Sequence, residues 1–406
     1  MAEPVHAPAL PLGVNLAGYL DATVGVGEAA RHVAGALEAA GVAVARLRLS
    51  SRAAAGEAPR PAAGPAASHA VHLTTIVCAN PEGMTGARDE LGAQAFAGHV
   101  IGWWWWEVAA LPQRWLRAFD LVDEVWAGSR FVADALAAVA PVPVVHMPLP
   151  VAEPAASAAG RTELGLPADR FLFGFAFDYA SVAARKNPLG LIDAFARAFA
   201  PDEGVALVLK TLGGAGFPDE HAAVLAAAAP HEHVTVIDEP LSAADKNALI
   251  AALDCYVSLH RSEGFGLTIA EAMLLGTPVI ATDYGGSRDF VTAFNALPVD
   301  ARTVTIGAGH DPYPAHGEWA EPDLDHAAAC MRAVRADPEA ARTRARRARE
   351  ELRARNAPAA AGRAMARRLA RVAKLPLDGD DSALDLEAVR ARMATGPKAA
   401  PGAERG

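Results

Sequence analysis

Short apolar runs alternate with helical stretches along most of this 406-residue chain, and no other feature constrains its fold as much. Such alternation is typical of α/β layers built on mostly parallel sheets. The pattern starts with VNLAGYL (14–20) and starts again with FLFGFAF (171–177), after the proline-containing segment MPLPVAEPAA (147–156). Because a single core rarely grows beyond about 250–300 residues, we predict two α/β domains, 1–150 and 151–340, hinged near 147–156.

The spacing of apolar residues also predicts the individual elements. Strands are expected near 14–20, 42–49, 70–78, 99–106, 122–127, 142–147, 171–177, 205–210, 233–237, 254–259 and 278–282. Helices are expected at 28–40, from Ser129 onward, and near 188–199, 219–229, 242–252 and 268–275. The proline-rich stretch 309–328 is interpreted as a loop that leads into a helix at about Asp323.

Overall charge excludes some partners. The formal net charge of −10 argues against a chain that binds nucleic acid through its overall charge. No apolar run reaches the ~18 residues of a membrane span, and the first residues lack the basic and apolar regions of a signal peptide. We therefore expect a cytoplasmic protein.

The stretch HRSEGFGLTIAEAMLLGTPVIATDYGGSRDF (260–290) carries the clearest chemistry. A strand that ends at Leu259 leads into a glycine-containing loop, and a helix follows from about Leu267. In open α/β sheets, ligands bind beyond the carboxyl ends of strands, where helix N-termini offer free amides to phosphate. Glu263 in the loop and Glu271 one turn into the helix are predicted to face one crevice. The alternative is an acidic loop and a core helix with a solvated Glu271.

This stretch resembles retaining nucleotide-sugar glycosyltransferases of family 4 (glycosyltransferase group 1). The resemblance implies the GT-B fold, in which two Rossmann-like domains face each other across a cleft and the last helices cross back onto the first domain. It also implies that Glu263 lies near the transferred sugar and that Glu271 binds the nucleotide ribose. The remaining donor contacts would come from the backbone of Phe265, Gly266 and Leu267 and from the glycine pair Gly285 and Gly286.

A diphosphate leaving group needs cations, because a GT-B site lacks the metal ion that other glycosyltransferases use. The segment RKNPLGLIDAFARAF (185–199) places Arg185 and Lys186 just after the first strand of the second domain. This resembles the family's diphosphate-binding basic pair, although a solvated basic turn is the alternative. Lys210, near the end of the next strand, is a further candidate. We expect no cofactor and no metal ion.

The first domain supplies candidates for the acceptor side. Gly25-x-Gly27-x-x-Ala30 resembles a dinucleotide fingerprint, but the second strand ends in Arg46-Leu47-Arg48 rather than in an acid that would hold an NAD ribose. An NADP-dependent reductase is thus one alternative. The family resemblance instead implies that Gly25 and Gly27 belong to a flexible loop near the donor and acceptor.

Four consecutive tryptophans end a strand at the edge of the predicted cleft. In a strand, Trp103 and Trp105 face one side while Trp104 and Trp106 face the other. Some rings are expected in the core, and Trp105 is the candidate for stacking against an acceptor sugar. Many family members carry a histidine near this position, whereas this chain has Glu107, interpreted either as an acceptor contact or as an acid at a helix N-terminus.

Two further segments complete the sequence predictions. His260 is close enough to the motif to line the site. Residues 341–374 hold 12 basic and 2 acidic side chains, and are interpreted either as helices that cross back or as a surface that adheres to anionic lipid. We assign basic helices to 341–375 and expect a poorly ordered tail at 376–406.

Together these features predict an enzyme that moves a hexose from a nucleoside-diphosphate sugar to a glycan, lipid-linked or other hydroxyl acceptor with retention of configuration. Besides the reductase, two alternatives share the fold. One is a GT-B nucleotide-sugar epimerase, and the other is a catalytically silent protein that binds sugar nucleotides.

Overall fold

The computed structural model describes residues 12–21, 25–50 and 67–373. The tail predicted to be poorly ordered, 376–406, lies outside the described residues. The strands are β1 (Gly13–Gly18), β2 (Ala43–Arg48), β3 (Thr74–Cys78), β4 (His99–Trp104), β5 (Glu124–Ala127), β6 (Val144–His146), β7 (Phe171–Asp178), β8 (Val205–Leu212), β9 (Val234–Ile237), β10 (Cys255–Ser258), β11 (Val279–Thr282), β12 (Leu297–Val299), β13 (Ala301–Thr305) and β14 (Glu318–Pro322).

Helices alternate with these strands. They are α1 (Gly25–Ala39), α2 (Met84–Leu91), α3 (Arg130–Ala137), α4 (Ala183–Lys186), α5 (Pro188–Ala198), α6 (Pro218–Ala228), α7 (Ala243–Ala252), α8 (Leu267–Leu275), α9 (Leu324–Ala336), α10 (Pro338–Asn356) and α11 (Pro358–Val372). A 3₁₀ helix at Gln113–Leu121 was not predicted.

Two six-stranded parallel sheets form the framework. The first has the order β2-β1-β3-β4-β5-β6, and the second has the order β12-β11-β10-β7-β8-β9. Both are orders of doubly wound folds, in which ligands bind where the strand order reverses. In the first sheet that point lies between β1 and β3, and in the second it lies between β7 and β10. The predicted pair of α/β layers is confirmed.

Alternating side chains explain why the four tryptophans fit. Trp103 packs edge-on against Trp126, and Trp104 packs against Phe119 on the opposite face of the sheet. Trp106 is also buried, whereas Trp105 is only partly buried. Strand β4 ends at Trp104, two residues before the predicted end, so the last two tryptophans belong to the loop that follows it.

The last two helices cross between the two layers, as predicted. Helix α10 packs against α8, and α11 packs against α1. A Cβ atom at Gly362 would overlap the carbonyl oxygen of Ala36, so glycine allows the close contact between α11 and α1. Arg368 of α11 donates to Glu124, the buried first residue of β5 in the first sheet. Among the described residues, no helix is both long and apolar enough to span a membrane.

Two further features differ from the prediction. Helix α1 begins at Gly25 rather than at residue 28, so Gly25 and Gly27 lie in its first turn instead of in a loop. The stretch 309–328 contains a strand, since β14 pairs antiparallel with β13 along five residues. The helix after it begins at Leu324, within one residue of the predicted start, and the carboxylate of Asp323 caps its first turn.

Candidate active site

The predicted donor residues come together at the point where the strand order of the second sheet reverses. β7 and β10 are neighbouring parallel strands, so the segments that follow them leave the same edge of the sheet. One segment carries Arg185 and Lys186 on α4, and the other carries Glu263 in the loop before α8. This edge is where doubly wound sheets bind ligands.

A cluster of charges lies at this edge, with Arg185 buried and Lys186 and Glu263 slightly exposed. Lys186 donates a hydrogen bond to one carboxylate oxygen of Glu263, and Nη1 of Arg185 lies 3.3 Å from the other. The same Arg185 nitrogen donates to the carbonyl oxygen of Ser262 at 2.8 Å. Burial of Glu263 opposes its ionisation, but the nearby Lys186 and Arg185 charges outweigh burial and lower its pKa to about 2. The carboxylate is therefore ionised at neutral pH.

Local backbone geometry presents the two cations. Val182 (φ 63°) and Asn187 (φ 55°) adopt left-handed conformations on either side of α4. Such a conformation is rare for a β-branched residue and has to be held by its surroundings. The Asn187 amide donates to the carbonyl oxygen of Leu259 at 2.9 Å, and its oxygen caps α5. The basic turn is thus tied to the end of β10.

Helix α8 presents an anion-binding end to the same edge. Gly266, at φ 93°, is the N-cap residue that precedes Leu267, and it supplies no side-chain cap. The first backbone N–H groups of a helix lack partners within the helix and favour phosphate. The predicted contacts of Phe265, Gly266 and Leu267 therefore lie where the backbone can approach a diphosphate.

Glu271 lies one turn into α8, and its carboxylate has a partner that the sequence pattern does not reveal. Lys246 of α7 donates to Oε2 of Glu271 at 2.6 Å. This ion pair holds one of the two carboxylate oxygens. The two predicted acids thus differ in setting, since Glu263 is held by two cations and Glu271 by one.

Glycines of the motif form a tight seam between the two sheets. A Cβ atom at Gly264 would lie 2.7 Å from the carbonyl oxygen of Trp106, and one at Gly286 would overlap the carbonyl oxygen of Gly264. Ser129, the N-cap of α3, donates to that same Gly264 oxygen. The N–H of Gly286 donates to the Glu263 carbonyl at 2.7 Å. Gly285 (φ 80°) and Gly286 therefore hold the motif loop itself.

The opposite side of the cleft carries Trp105 and Glu107. The Trp105 ring stacks on Trp103 with centroids 6.3 Å apart. A carboxylate oxygen of Glu107 accepts a hydrogen bond from the Tyr313 hydroxyl at 3.1 Å, and its carbonyl accepts one from Ser262. No helix in the described chain begins at Glu107, so the interpretation as a helix N-terminal acid is wrong. Tyr313 was not predicted, because it lies 206 residues away in sequence.

Two candidates lie outside the exposed cleft. His260 is fully buried between Ser258 and the carbonyl oxygen of Tyr284, with ring nitrogens 3.0 and 3.2 Å from these partners. Burial lowers its pKa to about 4. The ring therefore packs inside the motif and contacts its backbone instead of lining the site. Lys210 is also buried, donates to the Thr211 carbonyl and lies near the charges of Asp238 and Glu239.

The same geometry also concerns the reductase alternative. Arg46, which an NADP phosphate would need, forms a two-point ion pair with Glu38 at 2.6 and 2.7 Å. Within the described residues, no group of three or more His, Cys, Asp or Glu side chains has the geometry to hold a metal ion. The positive groups near Glu263 are the Arg185 and Lys186 side chains.

Comparison with known proteins identifies the segment that carries these groups. Residues 170–303 match the family model described as Glycosyl transferases group 1. D-inositol 3-phosphate glycosyltransferases of Mycobacterium bovis and Mycobacterium tuberculosis are 32% identical over 193 residues, which cover 46% of this chain and 35% of each relative. The match thus spans about a third of the length of these relatives.

Solved structures share the fold along most of the chain. Sucrose-phosphate synthase from Thermosynechococcus elongatus has a TM-score of 0.66 at 18% identity, covering 89% of this chain and 99% of that chain. Anabaena HepE, solved with UDP and glucose, has a TM-score of 0.64 at 16% identity, covering 89% of this chain and all of the other. At such identity the likeness concerns the fold alone, and it confirms the predicted GT-B class.

Proposed function

We propose that this chain, whose residues 170–303 match the family model of glycosyl transferases group 1, is a glycosyltransferase that uses a nucleoside-diphosphate sugar. The observation that carries the proposal is the buried group of Glu263, Lys186 and Arg185 at the N-terminus of α8. Cations and free helix amides suit a departing diphosphate, and an acid in the same place suits the hydroxyls of the transferred sugar.

The donor would lie along the edge of the second sheet. Glu271 would accept hydrogen bonds from ribose hydroxyls, and the backbone of Phe265, Gly266 and Leu267 would hold the diphosphate. Lys186 would neutralise the leaving group together with Arg185. In this proposal the cations of the chain stabilise the leaving group, and the chemistry needs no metal ion.

We further propose a hexose donor and retention of configuration, as in the family 4 enzymes that the motif resembles. The bond between the sugar carbon and the diphosphate oxygen would break while the acceptor hydroxyl forms its bond on the same face. A leaving-group oxygen would take the hydroxyl proton. Ser262, Gly264 and Tyr313 all contact the first sheet or its loops, which supports a reaction that needs both sides of the cleft in contact.

The acceptor would lie against Trp105 and Glu107. Nearby Glu82 is partly buried, and burial together with the Glu107 charge raises its pKa. Two carboxyl groups disfavour an acceptor phosphate, because like charges repel strongly in a partly desolvated cleft. We therefore favour the hydroxyl of a glycan. For a lipid-linked glycan, the basic helices α10 and α11 would add contact with anionic lipid, although several arginines of α10 already pair with acids such as Glu153 and Glu339.

A panel of nucleotide sugars tests this proposal. Release of nucleoside diphosphate is measured for each donor with and without a mixture of oligosaccharide acceptors, and the anomeric configuration of any product is read by NMR. We expect release from one donor that an acceptor accelerates. An epimerised donor would instead indicate the epimerase, and NADPH binding without nucleotide-sugar binding would indicate the reductase. Donor binding without any turnover would indicate a silent binding protein.

A further inference from the structure

The hairpin formed by β13 and β14 contacts the loop that carries Arg261 and Glu263. Glu321 on β14 accepts two hydrogen bonds from the Arg261 guanidinium, at 2.9 and 3.0 Å. The N–H of Ala320 donates to the carbonyl oxygen of Arg261 at 2.9 Å. The strand thus holds both the backbone and the side chain of Arg261, two residues before Glu263.

Arg261 in turn holds the basic turn. Its Nη1 donates to the carbonyl oxygen of Ala184 at 2.7 Å, and its backbone N–H donates to the carbonyl oxygen of Arg185 at 2.7 Å. These two carbonyl groups belong to α4, whose flanking residues Val182 and Asn187 have left-handed backbones. A turn in such a conformation keeps its shape only when neighbouring contacts define it.

Burial and geometry indicate that this link is rigid. The side chains of Arg261 and Glu321 are 22% and 29% exposed, and the guanidinium also lies over the Trp319 ring, 5.7 Å from its centroid. A two-point arginine–carboxylate pair fixes direction as well as distance. Arg261 can therefore donate to Ala184 in one orientation only while Glu321 holds its other nitrogens.

From these contacts we propose that Glu321 is a positioning residue, which acts through Arg261 to hold Arg185 and Lys186 in the geometry that binds the terminal phosphate of a nucleoside diphosphate. This inference rests on the proposed function. It also assigns a role to the stretch WAEP (319–322), since Trp319, Ala320 and Glu321 all contact Arg261.

The sign of the effect separates positioning from simple electrostatics. Glu321→Gln removes a negative charge near the proposed diphosphate site, which by charge alone would tighten anion binding. Loss of the two-point pair would instead release Arg261 and loosen the turn, and so weaken binding. Glu318 lies on the same strand and is exposed, so Glu318→Gln is a matched control that removes the same charge without the Arg261 contact.

Calorimetry on the full chain tests the proposal. The wild-type protein is titrated with UDP, GDP, ADP and dTDP, and the tightest ligand and its monophosphate are then compared in the variants. We expect Glu321→Gln to weaken diphosphate binding about tenfold while monophosphate binding changes less than about twofold. Glu318→Gln should leave both unchanged, and Glu321→Asp should recover part of the loss. Intact monophosphate binding also verifies that the variant is folded.

Two outcomes contradict the proposal in different ways. Unchanged or tighter diphosphate binding in Glu321→Gln would overturn the positioning role while leaving the proposed function intact. An equal loss for monophosphate and diphosphate would also overturn it, because a general weakening is not specific to the turn. No binding of any nucleoside diphosphate by the wild type would overturn the proposed function, and this inference with it.

Discussion

The two sides of the cleft present different residues. The side formed by the second sheet holds Glu263, Lys186 and Arg185 in a buried group of ion pairs beside a free helix end. The side formed by the first sheet presents the Trp105 ring and the Glu107 carboxylate. We infer that the side formed by the second sheet stabilises the leaving group and that the side formed by the first sheet binds the acceptor. Variants should therefore separate the two tasks.

The largest effect is expected at Lys186. Lys186→Met removes the ammonium that pairs with Glu263 and would neutralise the diphosphate. Turnover of the nucleotide sugar should fall about 10³-fold, as for loss of one group that stabilises transition-state charge. The measurement is the initial rate of nucleoside diphosphate release. Lys186→Arg, which retains a cation, should keep more activity, and equal rates for Lys186→Met and wild type would remove Lys186 from the mechanism.

The second-largest effect is on the stability of the protein and depends on the buried side chain of His260. The folded pKa of His260 is about 4, below the ordinary value near 6.5, so the unfolded chain binds its proton more readily. This contribution to stability is complete above the unfolded pKa and is lost as pH falls toward about 4. From pH 7 to 4.5 the free energy of unfolding should fall by roughly 2–3 kcal/mol because of this group.

Urea unfolding of the wild type and of His260→Gln between pH 7 and 4.5 checks this difference. The variant should lose much of the pH dependence. His146 is a control on the first sheet. Its side chain is 35% exposed, and the Asp289 charge opposes the lowering of its pKa by burial. His146→Gln should therefore retain most of the pH dependence. The same pH profile for His260→Gln and wild type would show that His260 is not the group that titrates.

A smaller effect is expected at Glu271, the residue proposed to bind the ribose of the nucleotide. Glu271→Gln should weaken binding of the preferred nucleoside diphosphate about tenfold, since a charged hydrogen-bond acceptor is lost. The affinity for the 2′-deoxy nucleotide should fall much less in this variant, because that nucleotide lacks one of the ribose hydroxyls. Calorimetry with both nucleotides measures the ratio. A loss of equal size for both would contradict the ribose role.

The smallest effect is expected on the acceptor side. Trp105→Ala should raise the KM for the acceptor about fivefold, in keeping with the loss of ring stacking, and leave donor affinity unchanged. Steady-state kinetics with the acceptor that stimulates release would measure it. The buried neighbour Trp104 is not a suitable control, since its loss would damage the core. Leu225→Ala, at an exposed side chain of α6, is used instead. A changed donor affinity in Trp105→Ala would contradict the division of tasks.

Local patterns predicted the parts of the site that are contiguous in sequence. The strand, glycine loop and helix around Glu263 and Glu271 follow from residue order, and so does the basic turn at Arg185. Tyr313, Lys246 and the Arg261–Glu321 pair did not, because each depends on two segments that meet only after folding. Arg261 and Glu321, for example, are 60 residues apart.

Errors in the fold have the same origin. The prolines around β14 favour a loop, and the strand exists because β13 pairs with it across a hairpin. His260 lies next to the motif in sequence, yet the sheet places its ring below the surface. Gly25 and Gly27 suit a loop by composition but start a helix, since α11 packs against α1 and stabilises it.

A crystal structure of the protein with its preferred nucleoside diphosphate tests the central claim most directly. The account predicts that the diphosphate lies at the N-terminus of α8, within hydrogen-bond distance of Lys186 and of the N–H groups of Gly266 and Leu267, with a ribose hydroxyl on Glu271. A diphosphate bound elsewhere, with Lys186 still paired only to Glu263, would contradict it.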